Sequence, residues 1–130
     1  YAAAVADGVI AYAGYGAVIL DLDGDGHEQT GWSVFYLHID SEGRVRTGQS
    51  VQAGDVIGYP SCEGGYSIAT HVHIARRYNG EWISADAALP FVMDGWVSSG
   101  AGVEYDGYLT KDGIVVEAWD AYLPENQIER

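Results

Sequence analysis

Histidines carry the clearest chemical signal in this 130-residue sequence, and two of the four, His71 and His73, stand two positions apart. Residues at this spacing in a β-strand project from the same face, about 7 Å apart, so we expect both imidazoles on one surface. Such a pair can ligate one metal ion together, or one ring can bind the metal while the other transfers protons. The alternative is a pair of polar side chains on a solvated sheet face.

A third imidazole, His38, ends an aromatic run over residues 32–39 that predicts another strand. If that strand lies beside the strand of the paired histidines, all three rings converge on one face. The fourth histidine, His27, lies in the polar loop of residues 23–31, and we expect it to be solvated.

Eighteen glycines separate short β-branched and aromatic runs, a pattern typical of hairpins rather than helices. Residues 9–12 and 17–22 flank a hairpin-sized gap and are predicted to pair. A strand over residues 70–77 is followed by Asn79-Gly80, a strong hairpin signal because both turn positions need positive φ. The sequence therefore predicts an all-β fold of antiparallel sheets.

Two further segments have patterns of their own. Residues 45–58 alternate glycine with short apolar pieces, which predicts a compact β-corner built from tight turns. After a break at Leu89-Pro90, residues 102–105 and 113–118 are predicted to pair as an appended C-terminal hairpin.

Composition and charge narrow the possible partners. Six Lys and Arg against nineteen Asp and Glu give a formal charge of -13, which disfavours binding to nucleic-acid phosphates or anionic lipid surfaces. No apolar run approaches the length that crosses a bilayer, and the chain length fits one domain. We therefore expect neither a nucleic acid nor a membrane as partner.

A single cysteine, Cys62, allows no disulfide within these residues. A partner thiol outside the sequence is one alternative, and a nucleophilic role is another, although that role requires a nearby activating base. The sequence starts at Tyr1 without the basic start and long apolar stretch of a signal peptide, so we expect a processed product or an excerpt.

Three ordered segments carry a resemblance to a known family: Tyr36-Leu37-His38-Ile39, residues 48–58, and Thr70-His71-Val72-His73-Ile74. Together they resemble the motif set of the lysostaphin-type zinc peptidases, which include the staphylolysin-like enzymes. Val5-Ala6-Asp7-Gly8-Val9-Ile10 is similar to the strand that follows the first metal motif of that family. The resemblance covers about residues 1–97, a peptidase-like domain, and leaves residues 98–130 as a C-terminal extension.

The resemblance implies a duplicated antiparallel motif that forms a two-layer, barrel-like sandwich. It also implies that His38 and His71 are catalytic and that His73 binds zinc. The two other zinc ligands, a His and an Asp, would precede Val5, where no residue of this sequence matches them, and Asp7 is not taken as a substitute. A catalytic zinc needs three protein ligands, so we expect the 130 residues alone to bind zinc weakly or not at all.

The implied activity is that of a secreted or extracellular bacterial zinc endopeptidase, whose substrates are the peptide bridges or stems of peptidoglycan. His71 is the expected general base, and His38 is expected to orient water or stabilise the oxyanion. The alternative is a non-catalytic relative that binds cell-wall glycopeptide or a protein partner.

Other features of the sequence favour different interpretations. The alternating acids Asp21, Asp23 and Asp25 resemble a calcium loop, but Trp32 replaces the bidentate Glu at the twelfth position, so a solvated loop is preferred. Residues 51–58 resemble the β-corner of biotinyl and lipoyl carriers, but the only lysine, Lys111, lies far from it.

Aromatic residues raise a further choice between groove and core. Tyr36, Tyr66 and Trp82 can line a substrate groove, whereas aromatic residues in a Tyr-rich β protein more often lie in the core or at its rim. Core or rim is therefore the expected location.

Overall fold

The structure, a computed structural model, describes residues 1–119 and 124–128. Its strands are β1 (Ala2–Ala3), β2 (Gly8–Gly14), β3 (Ala17–Asp21), β4 (Trp32–Leu37), β5 (Ser50–Val51), β6 (Val56–Gly58), β7 (His73–Tyr78), β8 (Glu81–Ile83), β9 (Val92–Met93), β10 (Trp96–Gly100), β11 (Gly107–Lys111) and β12 (Ile114–Ala118), followed by a short 3-10 helix, Pro124–Asn126. All strand pairs are antiparallel, so the predicted all-β fold is confirmed. Within the described residues no helix has the length and apolarity needed to cross a membrane.

A six-stranded sheet in the order β5-β2-β3-β4-β7-β8 forms the main body of the fold. Two of the three hairpins predicted from sequence are confirmed in this sheet. β2 pairs with β3 across Tyr15 and Gly16, with φ values of 48° and 74°. β7 pairs with β8 across Asn79 and Gly80, with φ values of 49° and 80°, as two-residue hairpin turns require.

The glycine-rich segment of residues 45–58 forms the predicted corner. Its β5 extends the main sheet by pairing with β2, and its β6 pairs with β1 in a separate two-stranded sheet. The segment therefore passes from the main sheet to the two-stranded sheet, and residues of both contribute to the hydrophobic core. Buried residues of that core include Ile10, Val18, Leu20, Val34, Tyr36, Ile39 and Ile57.

The ends of two strands differ from the prediction, and both differences lie at histidines. β4 ends at Leu37 rather than at residue 39, because His38 adopts a left-handed backbone with φ of 66°. β7 begins at His73 rather than at residue 70, and His71 instead forms an isolated bridge with Ser61.

The C-terminal part forms a four-stranded sheet in the order β12-β11-β10-β9. Its hairpin joins β11 to β12 across Asp112 and Gly113, so the prediction that residues 102–105 supply the first arm is wrong. That segment turns instead, and Tyr105 has a φ of 60°. The boundary between residues 97 and 98 stays a prediction, and β10 spans these two positions.

Candidate metal and catalytic centre

His38 and His71 come from distant parts of the chain and lie against each other. Their ring centroids are 4.5 Å apart, with an angle of 58° between the ring planes. Ser61 connects the two segments, since its N–H donates to the His38 carbonyl at 2.7 Å and its backbone bridges to His71. The pair is therefore positioned by the loop that returns past the end of β4.

The left-handed backbone of His38 decides on which side of the sheet its ring lies. Leu37 is the register partner of His73, so these two side chains share a face. Strict alternation along β4 would send His38 to the opposite face, with Tyr36 in the core. The positive φ at His38 breaks that alternation, and its ring contacts that of His71.

A backbone carbonyl fixes the tautomer of His38. Nδ1 of His38 lies 2.8 Å from the carbonyl oxygen of Glu63, and the residue is 4% exposed. Because a carbonyl only accepts, Nδ1 carries the hydrogen and Nε2 of the neutral ring is left as an acceptor.

Two glycines allow the Glu63 segment to approach this closely. A Cβ on Gly64 would lie 2.6 Å from the Tyr15 carbonyl oxygen, and one on Gly16 would lie 2.5 Å from the Glu63 carbonyl carbon. Both glycines also have positive φ, 84° and 74°. The β2–β3 turn and the Glu63 loop therefore meet backbone to backbone.

His71 repeats the arrangement of His38 with a different carbonyl. Its Nδ1 lies 2.8 Å from the carbonyl oxygen of Ala69, with the Ser67 hydroxyl at 3.4 Å. The ring is therefore held by its own loop with Nε2 available to accept a proton or a ligand.

His73 is half-buried, and its ring makes no hydrogen bond to any residue that the structure describes. Burial lowers the pKa of His73, and the nearby imidazoles of His38 and then His71 lower it further. A lowered pKa keeps the ring neutral near pH 7, the form in which a nitrogen lone pair binds a metal ion.

The three histidines do not by themselves form a closed metal cage. Across residues 1–119 and 124–128, three potential ligand atoms lie within 4.8 Å of one another in the acidic group Asp21, Asp23 and Asp25. The three histidines do not meet this distance criterion. The histidine chemistry thus fits a metal held by one of these rings together with ligands from elsewhere, with two rings left for proton transfer.

The acidic loop uses its carboxylates to hold its own backbone. Asp21 accepts from the N–H groups of Asp23 and Gly26, and Asp25 accepts from that of His27. His27 is exposed, as expected.

A cleft of about 390 Å³ opens beside His73. Trp82 lines it, as does Tyr105, whose ring centroid is 6.1 Å from that of His73. Sequence reasoning did not find Tyr105, because it reaches the site from the C-terminal extension through a turn that no local pattern links to the histidines. Of the other aromatic candidates, Tyr36 is 1% exposed and lies in the core, and Tyr66 is 90% exposed.

Two alternative interpretations receive no structural support. The Cys62 thiol is free and exposed, and within the described residues it makes no hydrogen bond to a histidine. Lys111 forms an ion pair with Asp94 at 3.1 Å inside the C-terminal sheet.

The model of peptidase family M23 matches residues 2–85, which is more than half of the chain. The chain belongs to peptidase family M23. The resemblance drawn from the motifs is thereby confirmed, and M23 membership as a metallopeptidase implies a metal ion.

One solved structure illustrates the shared M23 fold. Pseudoalterin, described as a novel M23 metalloprotease from the deep sea, has a TM-score of 0.65 and 24% sequence identity to this chain. The similarity covers 90% of this chain and 69% of pseudoalterin. No curated protein matches the chain.

Proposed function

We propose that this M23 chain is the catalytic part of a secreted bacterial zinc endopeptidase that hydrolyses the peptide bridges or stems of peptidoglycan. The observation that carries the proposal is the contact of the His38 and His71 rings, each with Nδ1 bonded to a carbonyl, next to a neutral His73. Two imidazole acceptors beside a metal-binding imidazole can orient a metal-activated water and take its proton, which is the chemistry of metal-assisted peptide hydrolysis.

His73 would hold the zinc, together with a His and an Asp from a segment that precedes Val5. When bound, zinc supplies Lewis-acid activation of a water molecule and of the scissile carbonyl. The donor chemistry fits, because a neutral, half-buried imidazole without a hydrogen-bond partner among the described residues is a suitable zinc ligand.

His71 would act as general base. Its neutral ring accepts the water proton at Nε2, and the Ala69 carbonyl stabilises the resulting imidazolium through the Nδ1–H bond. His38 has the same tautomer, so its neutral Nε2 orients water as an acceptor and donates to an oxyanion only when protonated.

The experiment is a cleavage assay in which the protein, produced together with the segment that precedes Val5, is incubated with peptidoglycan or a glycine-rich peptide and newly formed amino termini are counted. We expect cleavage in the presence of zinc, loss of cleavage after chelation, and recovery when zinc is returned. Absence of new amino termini under all of these conditions would contradict the proposal.

The second candidate is a non-catalytic M23 module that binds cell-wall glycopeptide or a protein partner. The observation that favours it is that, among the described residues, His38, His71 and His73 do not bring three potential ligand atoms within 4.8 Å of one another. Co-sedimentation with peptidoglycan in the same assay, without any hydrolysis, would favour this module over the enzyme.

A further inference from the structure

The strand that carries His73 has a free edge. β8 pairs only with Arg76, Arg77 and Tyr78 of β7, because β8 ends at Ile83. The chain then leaves the sheet, so the first three residues of β7 have a strand neighbour only on the β4 side.

Hairpin geometry identifies the backbone groups that face this free edge. In a two-residue hairpin the flanking residues, here Tyr78 and Glu81, exchange both backbone hydrogen bonds. Every second residue of β7 then directs its N–H and C=O to the same side, so Arg76 faces β8 and Ile74 faces the gap beyond it. Ile74 makes no backbone bond on that side within the part of the chain that the structure describes.

The cleft beside His73 lies along this same edge, and its aromatic walls are held in place. Phe35 packs edge-on against Trp82, with ring centroids 5.5 Å apart. The Arg77 guanidinium stacks over Trp82 at 3.8 Å and is anchored by Glu28 at 3.0 Å. These contacts hold the Trp82 side chain in place although it is 56% exposed.

The cleft offers no charged group to a ligand. Among the residues that the structure describes, Arg76 is the one Asp, Glu, Lys or Arg in its lining, and it is 5% exposed. Its guanidinium already donates to the carbonyls of Ser84, Leu89 and Pro90. A charged side chain placed in this cleft would lose hydration without gaining a partner, whereas an apolar one gains aromatic contacts.

We propose that a substrate peptide adds as an extended strand to the free edge of β7 at Ile74 and places an uncharged, apolar side chain in the aromatic cleft beside His73. Main-chain bonds to Ile74 supply affinity, and the cleft supplies selectivity. The inference rests on the proposed peptidase function for the position of the scissile bond, but the binding mode itself does not require cleavage.

The substrate side of the test uses pentapeptides that are all glycine or carry Phe, Leu, Asp or Lys at the central position. We expect the Phe and Leu peptides to exceed the Asp and Lys peptides in kcat/KM by about tenfold or more. Apart from the scissile amide, N-methylation of each peptide amide in turn should reduce kcat/KM about tenfold at one position only, the amide that donates to the Ile74 carbonyl.

The protein side compares two substitutions in one loop. Ala85→Phe narrows the cleft, because Ala85 lines it, and should remove most of the preference for Phe over Gly. Ala88→Phe is the control, since Ala88 is exposed in the same loop but outside the lining, and it should leave the preference unchanged. Amide exchange at Ile74, measured by NMR, should slow when the Phe peptide is added at saturating concentration.

Failure of this inference is distinguishable from failure of the peptidase proposal. Equal cleavage of all the pentapeptides, or N-methyl effects spread evenly over the amides, would overturn the binding mode while leaving the peptidase intact. Slowed exchange at Ile74 without any cleavage would support the binding mode and count against the peptidase. Unchanged exchange at Ile74 with bound peptide would overturn the binding mode.

Discussion

At the scale of the residue, two backbone carbonyls determine what the imidazoles of this M23 site can do. The Glu63 and Ala69 carbonyls each accept from Nδ1 of a histidine, His38 and His71 respectively. The rings are thereby oriented before substrate arrives, with Nε2 of each free to accept.

The tautomers of these two rings give the first prediction. Above the pKa of the imidazoles, long-range nitrogen–proton NMR should show His38 and His71 with the hydrogen on Nδ1. His27, which is exposed, is the internal control and should show the mixture of tautomers typical of a solvated ring. A hydrogen on Nε2 of either His38 or His71 would contradict the roles assigned to them.

Tyr36, the aromatic neighbour of His38 in the motif, has a structural task. Its buried hydroxyl accepts from the Val5 N–H at 2.9 Å, which fixes the segment following the expected upstream ligands. Tyr36→Phe should lower the free energy of unfolding by about 1–3 kcal/mol, because the Val5 N–H loses its partner.

Urea denaturation measures this loss, with Tyr66→Phe as the control because that side chain is 90% exposed and should change stability little. Equal effects of the two substitutions would show that the hydroxyl of Tyr36 has no special role.

At the scale of the element, the sequence was sufficient for the two hairpins of the main sheet but not for the C-terminal hairpin or for the strand ends at the site. Alternating apolar runs and the Asn79-Gly80 turn are local signals, and the two hairpins of the main sheet form as predicted. The end of β4 depends on the left-handed φ of His38, which is stabilised by contacts with Ser61 and Glu63. No local sequence pattern predicts these contacts, because they join segments more than twenty residues apart.

The approach of the Glu63 loop to the β2–β3 turn gives an element-scale prediction. Gly64→Ala places a Cβ 2.6 Å from the Tyr15 carbonyl oxygen at a φ of 84°. The substitution should cost about 1 kcal/mol for the left-handed backbone and more for the clash, and should reduce cleavage by displacing the carbonyl that holds His38.

Gly24→Ala is the matched control, because Gly24 has a φ of 81° but no atom within 4 Å of the added Cβ. Unfolding free energies that fall equally in both variants would contradict the importance of the close approach.

At the scale of the whole molecule, Arg76 joins the main sheet to the segment that leads into the C-terminal sheet. Besides its three carbonyl acceptors, its guanidinium carbon lies 5.6 Å from the Trp32 ring centroid and 5.3 Å from that of Phe91. Phe91 belongs to the core, so one buried cation links both parts of the fold.

Arg76→Met should lower the free energy of unfolding by about 2–4 kcal/mol, because three carbonyls lose charge-assisted hydrogen bonds to a buried cation. Arg77→Met should cost less, since Arg77 is more exposed and loses mainly its ion pair with Glu28. Chemical denaturation measures both, and a smaller loss for Arg76→Met than for Arg77→Met would contradict the linking role.

The sequence predicted the histidines of the candidate site but not the residues that surround them. His38, His71 and His73 could be found because their order and spacing match a family motif. Tyr105 and the Ile74 edge could not, because they depend on where β8 ends and where the C-terminal extension turns. Such features arise from tertiary packing rather than from periodicity.

The most direct test of the central claim uses the protein together with the segment that precedes Val5, and measures zinc affinity and peptide cleavage in its His38→Ala, His71→Ala and His73→Ala variants. We predict that His73→Ala weakens zinc binding by at least about tenfold and abolishes cleavage, because it removes a ligand. His38→Ala and His71→Ala should retain zinc affinity while cleavage falls by about a hundredfold or more. Retained cleavage in either of these two variants, or zinc loss in them equal to that of His73→Ala, would contradict the account.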